Sequence, residues 1–162
     1  MAMDHFRNKR ILITGATGLL GSHLVNFFLS AGCSLVYAMG RSEEKLHRTF
    51  PRHKNITFVA HDIATGPIPE GLGHLDYIFH AASPISGIKI KTHPVDVIRA
   101  NLTGLFNCLE YLRQQNNGRI VVFSSATVYS HSVGTAVRED QTEMSVPLES
   151  LNAPYAESKR MI

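Results

Sequence analysis

The chain has 162 residues, 44% of them hydrophobic, enough for one domain with a real core and inconsistent with disorder. Its formal net charge of +3, with nine histidines neutral, is scattered rather than gathered into a stripe, which argues against a nucleic-acid partner. No apolar run reaches membrane-spanning length, so no membrane partner is expected.

Arg7, Lys9 and Arg10 ahead of Ile11-Leu12-Ile13 have the outline of a signal peptide. Thr14, Thr17, Ser22, His23 and the glycines interrupt the apolar run, and a buried strand over residues 10–14 explains it better. A cytoplasmic protein is expected. Residues 19–31 have helical periodicity, with Leu20, Leu24, Phe27 and Phe28 on one face and Gly32 as the stop. Residues 34–39 read as a second strand. Ser42 caps a short helix that runs to Phe50, where Pro51 halts it. Residues 56–60 form a third strand, 66–71 a loop and 76–82 a fourth strand.

Pro94 opens a long helix, where its missing N–H costs little. Val97, Ala100, Asn101, Gly104, Leu105, Cys108, Leu109 and Leu112 fall on its buried side, and Asn116-Asn117-Gly118 ends it. A fifth strand follows over 119–125, then a polar stretch, then a last helix from Pro154 carrying Tyr155 and Lys159. Cys33 and Cys108 lack metal-ligand spacing and read as buried, reduced thiols; no metal is expected.

Strands alternating with helices imply βαβ units and a doubly wound parallel sheet of order 3-2-1-4-5. Ligands bind such sheets at the carboxyl ends of the strands. Gly15, Asp62, Ala81 and Ser125 all follow predicted strand ends, so separate features converge on one rim.

Thr14-Gly15-Ala16-Thr17-Gly18-Leu19-Leu20-Gly21 follows a strand and opens a helix, a setting in which glycines let a pyrophosphate approach the helix N-terminus. The plain alternative is a turn-rich link without a ligand. Tyr155 and Lys159, four apart, share a helix face. A phenol near pKa ~10 is a poor base at neutral pH, and a lysine cation beside it stabilises the phenolate. Most Tyr-x-x-x-Lys pairs are solvated helix surface; here the glycine loop upstream adds weight. The usual acid about 20 residues past such a loop is absent. Gly40-Arg41-Ser42 stands there, with Glu43 nearby. Arg41 suits a 2′-phosphate and tilts the cofactor preference toward NADP; its alternative is an exposed arginine at a helix start.

The G-x-x-G-x-x-G spacing with Tyr155-x-x-x-Lys159 resembles the short-chain dehydrogenase/reductase superfamily, and the glycine octet is similar to its extended branch, the epimerases and dehydratases of nucleotide sugars. The resemblance covers nearly the whole chain. It implies one NAD(P)-binding Rossmann domain over residues 1–162 and a nucleotide-sugar substrate. Implied cofactor contacts are Gly15, Thr17, Gly18, Leu19, Leu20, Gly21, Arg41, Asp62, Ile63, Ala81, Ala82, Tyr155 and Lys159. Asp62 would hold the adenine amino group, or simply cap a loop. Phe79-His80-Ala81-Ala82 would line the cofactor with backbone. Asn101 would support an active-site relay, or be a satisfied core amide. Ser125, before Val128-Tyr129, would bond the sugar hydroxyl, with Ser124 and Thr127 as neighbouring alternatives. Ser125, Tyr155 and Lys159 thus form the implied catalytic set, with Asn101 behind them.

In the family's dehydratases the two residues after that serine are acids, and decarboxylating members keep a Glu. Ala126 and Thr127 exchange no proton near neutral pH, and Ser-Ala-Thr-Val-Tyr is similar to the UDP-galactose 4-epimerase pattern. Against this, Ala82-Ser83-Pro84 resembles the decarboxylases' loop. An epimerase is therefore expected, with a carbonyl reductase, a dehydratase or decarboxylase, and a non-catalytic binding module as alternatives. Ser130 replaces a usual glycine. Family members are about twice this length. The chain is expected to be the cofactor-binding half of a longer, homodimeric enzyme, inactive alone, with an uncovered fifth strand and a fraying last helix.

Overall fold

The computed structural model describes residues 4–84, 87–129, 138, 140, 146–147 and 149–162. The strands are β1 (Arg10–Thr14), β2 (Leu35–Gly40), β3 (Ile56–Ala60), β4 (Tyr77–His80) and β5 (Arg119–Val122). The helices are α1 (Leu19–Ser30), α2 (Glu43–Thr49), α3 (Gly87–Thr92), α4 (Pro94–Gln114) and α5 (Ala153–Arg160). Two 3-10 turns cover Asp4–Phe6 and Ala126–Val128.

The five strands pair in parallel in the order β3-β2-β1-β4-β5. This is the expected order, and it leaves β5 at one edge. Central β1 has Leu12 between Tyr37 and Ile78, and its Ile11, Leu12 and Ile13 are wholly buried. Alternate residues feed two cores. Ile11, Ile13, Val36 and Ala38 pack with Val25 and Phe28 on one face. Leu12, Tyr37, Met39 and Ile78 pack with Ile63 and Cys108 on the other.

Several boundaries and faces differ from expectation. α1 buries Gly21, Val25 and Phe28, while Leu20 and Phe27 are exposed. Gly21 sets this rotation: a Cβ there would stand 2.3 Å from the Gly15 carbonyl oxygen, so only a glycine lets the helix come this close. β4 stops at His80 rather than 82, because the Ala82 N–H turns to the Thr14 hydroxyl. β5 stops at Val122 rather than 125, because the Phe123 carbonyl takes the Lys159 ammonium and Ser125 caps the following 3-10 turn. α3 carried no sequence expectation. α4 begins at Pro94 as expected and buries Val97, Asn101, Gly104, Leu105 and Cys108, but Leu109 is exposed. α5 begins at Ala153, one residue before the expected Pro154, and closes at Arg160, with Met161 as its C-cap. Ser42 caps α2 by accepting from the Lys45 N–H, as expected. Ser130 lies outside the described residues.

Candidate functional site at the carboxyl rim of the sheet

The loop between β1 and α1 is folded by its glycines. Gly15 has φ +65°, a left-handed conformation, and a Cβ there would lie 2.8 Å from the Ala82 backbone. Its carbonyl accepts from the Gly18 N–H, and Ala16 N–H donates to the Met39 carbonyl, which ties the loop to the end of β2. Gly18 is the N-cap of α1 and no side chain caps the helix. Gly18, Leu19 and Leu20 are exposed and Thr17 is half-buried, so the positive end of α1 opens to solvent. Such an end accommodates a phosphate.

At the neighbouring strand ends, Arg41 is exposed and makes no hydrogen bond or ion pair among the described residues. Asp62 accepts from the Ala64 N–H through Oδ1 at 3.0 Å, a cap on its own loop. That loop is pinned to α4 by Asn107, whose amide donates to the carbonyls of Ile63 and Gly66. Ile63 is buried.

Past β4, the Thr14 hydroxyl accepts from the Ala82 N–H and lies 2.9 Å from His80 Nδ1. His80 is 2% exposed, and Nε2 has no partner among the described residues. Burial, and secondarily the Lys159 cation, push its pKa down to about 4, with the nearby Asn101 carbonyl weakly opposing them. Gly104 gives the ring its room: a Cβ there would meet His80 Cε1 at 2.9 Å. Ala81 and Ala82, half-buried, follow at the rim beside Gly15.

The remaining residues meet where α4, α5 and the end of β5 converge. Asn101 is fully buried. Its Oδ1 accepts from the Ser83 hydroxyl at 2.8 Å and its Nδ2 donates to Ser158 Oγ at 2.8 Å. Ser158 Oγ donates to the Tyr155 carbonyl at 2.9 Å. Lys159 is 4% exposed, and its Nζ donates to the Phe123 carbonyl at 2.8 Å. Burial lowers its pKa from 10.5 to about 8. The Ser124 hydroxyl donates to the Lys159 carbonyl, and Arg160 donates to the Val128 carbonyl. Tyr155 is half-buried one helical turn before Lys159. Ser125 Oγ accepts from both Thr127 N–H, at 3.2 Å, and Thr127 Oγ1, at 2.9 Å. With both accepting positions engaged, its own proton is free to donate outward.

The fold therefore brings the glycine loop, Asp62, Ala81, Ala82 and Ser125 to one rim, while α5 carries Tyr155 and Lys159 against the loop after β5. The Asn101 side chain serves Ser83 and Ser158. Ser83, Ser158, Thr14 and Gly104 were not expected in these roles. Isolated small polar residues carry no spacing signal, and a glycine inside a helix shows its reason only when its neighbour is known.

Comparison with known proteins places this geometry. The sequence profile of the NAD dependent epimerase/dehydratase family matches residues 11–162. UDP-glucuronic acid decarboxylase 6 of Arabidopsis thaliana is 32% identical over 162 residues, covering 95% of this chain and 44% of that protein. Among solved structures, a UDP-N-acetylglucosamine 4-epimerase from Methanobrevibacter ruminantium, in complex with UDP-N-acetylmuramic acid, superposes with TM-score 0.78 at 23% identity, covering 96% of this chain and 48% of that one. MoeE5, in complex with UDP-glucose and NAD, superposes with TM-score 0.74 at 26% identity, covering 93% and 46%. The chain spans less than half the length of each. With a parallel sheet of this order, a glycine loop at its rim and a profile match over almost its entire length, the chain belongs to the NAD dependent epimerase/dehydratase family.

Proposed function

We propose that this chain is the NAD(P)-binding part of an enzyme that oxidises a hydroxyl of a nucleotide sugar and returns the hydride to the same carbon, a 4-epimerisation. The observation that carries this reading is the meeting, at one sheet rim, of an uncapped helix N-terminus behind Gly15 and Gly18 with the Ser125, Tyr155 and Lys159 segment. The residues fit a dinucleotide: the glycines leave room for a pyrophosphate, Asp62 offers a carboxylate oxygen toward an adenine, and Ala81 and Ala82 offer backbone. NAD(P), when bound, supplies the hydride acceptor and donor. MoeE5 was solved with NAD, and Arg41, without a hydrogen bond or ion pair among the described residues, favours acceptance of NADP here as well.

Ser125, with only its proton to offer, holds the oxygen of the reacting hydroxyl. Tyr155, as its phenolate, takes that hydroxyl's proton as the carbon is oxidised and gives it back on reduction, while the Lys159 cation one turn away stabilises the phenolate before the first transfer and after the second. Ala126 and Thr127 supply no acid or base, so elimination of water does not follow. A second reading, decarboxylation of a UDP-hexuronic acid, is favoured by the 32% identity to UDP-glucuronic acid decarboxylase 6 and by Ala82-Ser83-Pro84.

Incubation of the enzyme carrying this chain with UDP-, dTDP-, GDP- and CDP-sugars, followed by product analysis, tests both. An epimer without net cofactor change is expected. A 4-keto-6-deoxy product or stoichiometric NADPH oxidation would overturn the epimerase reading, and carbon dioxide released from UDP-glucuronate would establish the second. Among the described residues no helix is long and apolar enough to cross a membrane. A cytoplasmic location is supported by the free buried thiols of Cys33 and Cys108. A homodimer is supported by the exposed Val95, Phe106 and Leu109 of α4.

A further inference from the structure

Tyr155 and Lys159 ride on a helix of 8 residues, too short to hold its own geometry in water. What fixes α5 is therefore its ties to the rest of the fold. Toward β5 these are the Lys159 ammonium on the Phe123 carbonyl and the Ser124 hydroxyl on the Lys159 carbonyl. Toward α4 the tie is the Asn101 amide on Ser158.

The polarity of that second tie is determined from its far end. The Tyr155 carbonyl can only accept, so Ser158 donates to it. Having given its one proton, Ser158 Oγ accepts from Asn101 Nδ2. The Asn101 amide is thereby oriented with Oδ1 toward Ser83, and Ser83 donates to it. Asn101 is 0% and Ser158 2% exposed, so water does not substitute for a missing partner. Each link orients the next, and the chain ends on the residue after Ala82, whose backbone stands against Gly15.

We propose that Ser83 is a positioning residue for Tyr155: through Asn101 and Ser158 it sets the register of α5 against the rim at the end of β4. Its consequence for catalysis rests on the role of Tyr155 given above, whereas the hydrogen-bonded chain itself does not. Ser83 bonds only Asn101 among the described residues. Removing its hydroxyl unseats the Asn101 amide, which is then free to rotate and release Ser158.

Amide hydrogen exchange tests this on the protein without cofactor or substrate. In Ser83→Ala, exchange in α5 is expected to accelerate about threefold to tenfold, the scale of one lost hydrogen bond, with β1 amides unchanged as the internal reference. Ser83→Thr, which keeps the hydroxyl, restores protection. Ser158→Ala accelerates α5 alone, and adding Ser83→Ala to it brings little more. Wild-type exchange of α5 in Ser83→Ala, or full additivity of the two alanine variants, overturns the proposal. In turnover, Ser83→Ala lowers kcat by a similar factor with cofactor affinity intact, and Ser83→Thr recovers it. A loss of cofactor affinity instead would make Ser83 part of the cofactor loop and equally refute the positioning role. Absence of any product from the wild-type enzyme would count against the proposed reaction, not against the chain of hydrogen bonds.

Discussion

Gly18 and Gly21, three residues apart, allow packing and ligand binding to be separated by substitution. At Gly21 a Cβ would stand 2.3 Å from the Gly15 carbonyl oxygen and 2.9 Å from Ala16 Cα. Those neighbours are backbone, so α1 itself must retreat, by roughly 1 Å, and the Val25 and Phe28 contacts lose about a quarter to a half of their attraction. Overpacking of this kind costs about 1–3 kcal/mol, which in a domain of this size lowers Tm by roughly 3–10 °C. Gly18 is different. It is exposed, its backbone is extended at φ −80° and ψ 172°, and its nearest neighbour is the Gly15 oxygen at 3.2 Å. Gly18→Val therefore costs about 1 kcal/mol or less of stability, but it fills the approach to the α1 N-terminus. Thermal unfolding followed by circular dichroism, with calorimetric titration of NAD and NADP, separates the two. Gly21→Ala should melt early. Gly18→Val should melt near wild type while its cofactor Kd rises at least about tenfold. Wild-type affinity in Gly18→Val would refute the loop as the phosphate site, and an unchanged Tm in Gly21→Ala would refute the packing argument.

For cofactor choice, NADP should bind at least as well as NAD, and Arg41→Ala should weaken NADP selectively by calorimetry; NAD binding far better in wild type, with no effect of the substitution, would remove Arg41 from the site. His80 should make the fold acid-sensitive. Its folded pKa of about 4 lies below its ordinary 6.5, so the unfolded chain takes up the proton first, and stability falls between about pH 6.5 and 4 by up to about 3 kcal/mol. Urea unfolding across that range should show a shallower slope in His80→Gln, and parallel slopes would contradict the buried neutral ring. Tyr155→Phe should remove most turnover in the enzyme carrying this chain while leaving cofactor Kd unchanged; retained turnover would exclude Tyr155 as the proton acceptor.

Much of this architecture is local chemistry and can be read along the chain. Ile11-Leu12-Ile13 reads as a strand buried on both faces, Ser42 and Pro51 bracket a helix, and Pro94 and Asn116-Asn117-Gly118 bracket another. Alternation of strand and helix then leaves few topologies, and right-handed crossovers select the observed order. The glycine octet and Tyr155-x-x-x-Lys159 are legible for the same reason: each is a short spacing on one element. The rest depends on which surfaces meet. Periodicity placed Leu20 and Phe27 inward, yet the close approach of Gly21 to Gly15 turned the helix and buried Val25 instead. β4 and β5 end early because Thr14 and Lys159, distant in sequence, take the next backbone groups. The Ser83–Asn101–Ser158 chain and a His80 Nε2 without a partner among the described residues have no trace in spacing or composition. Propensity and pattern act over a turn or two of chain, so they specify elements and their order; contacts between residues dozens of positions apart are specified only by the packing that brings them together.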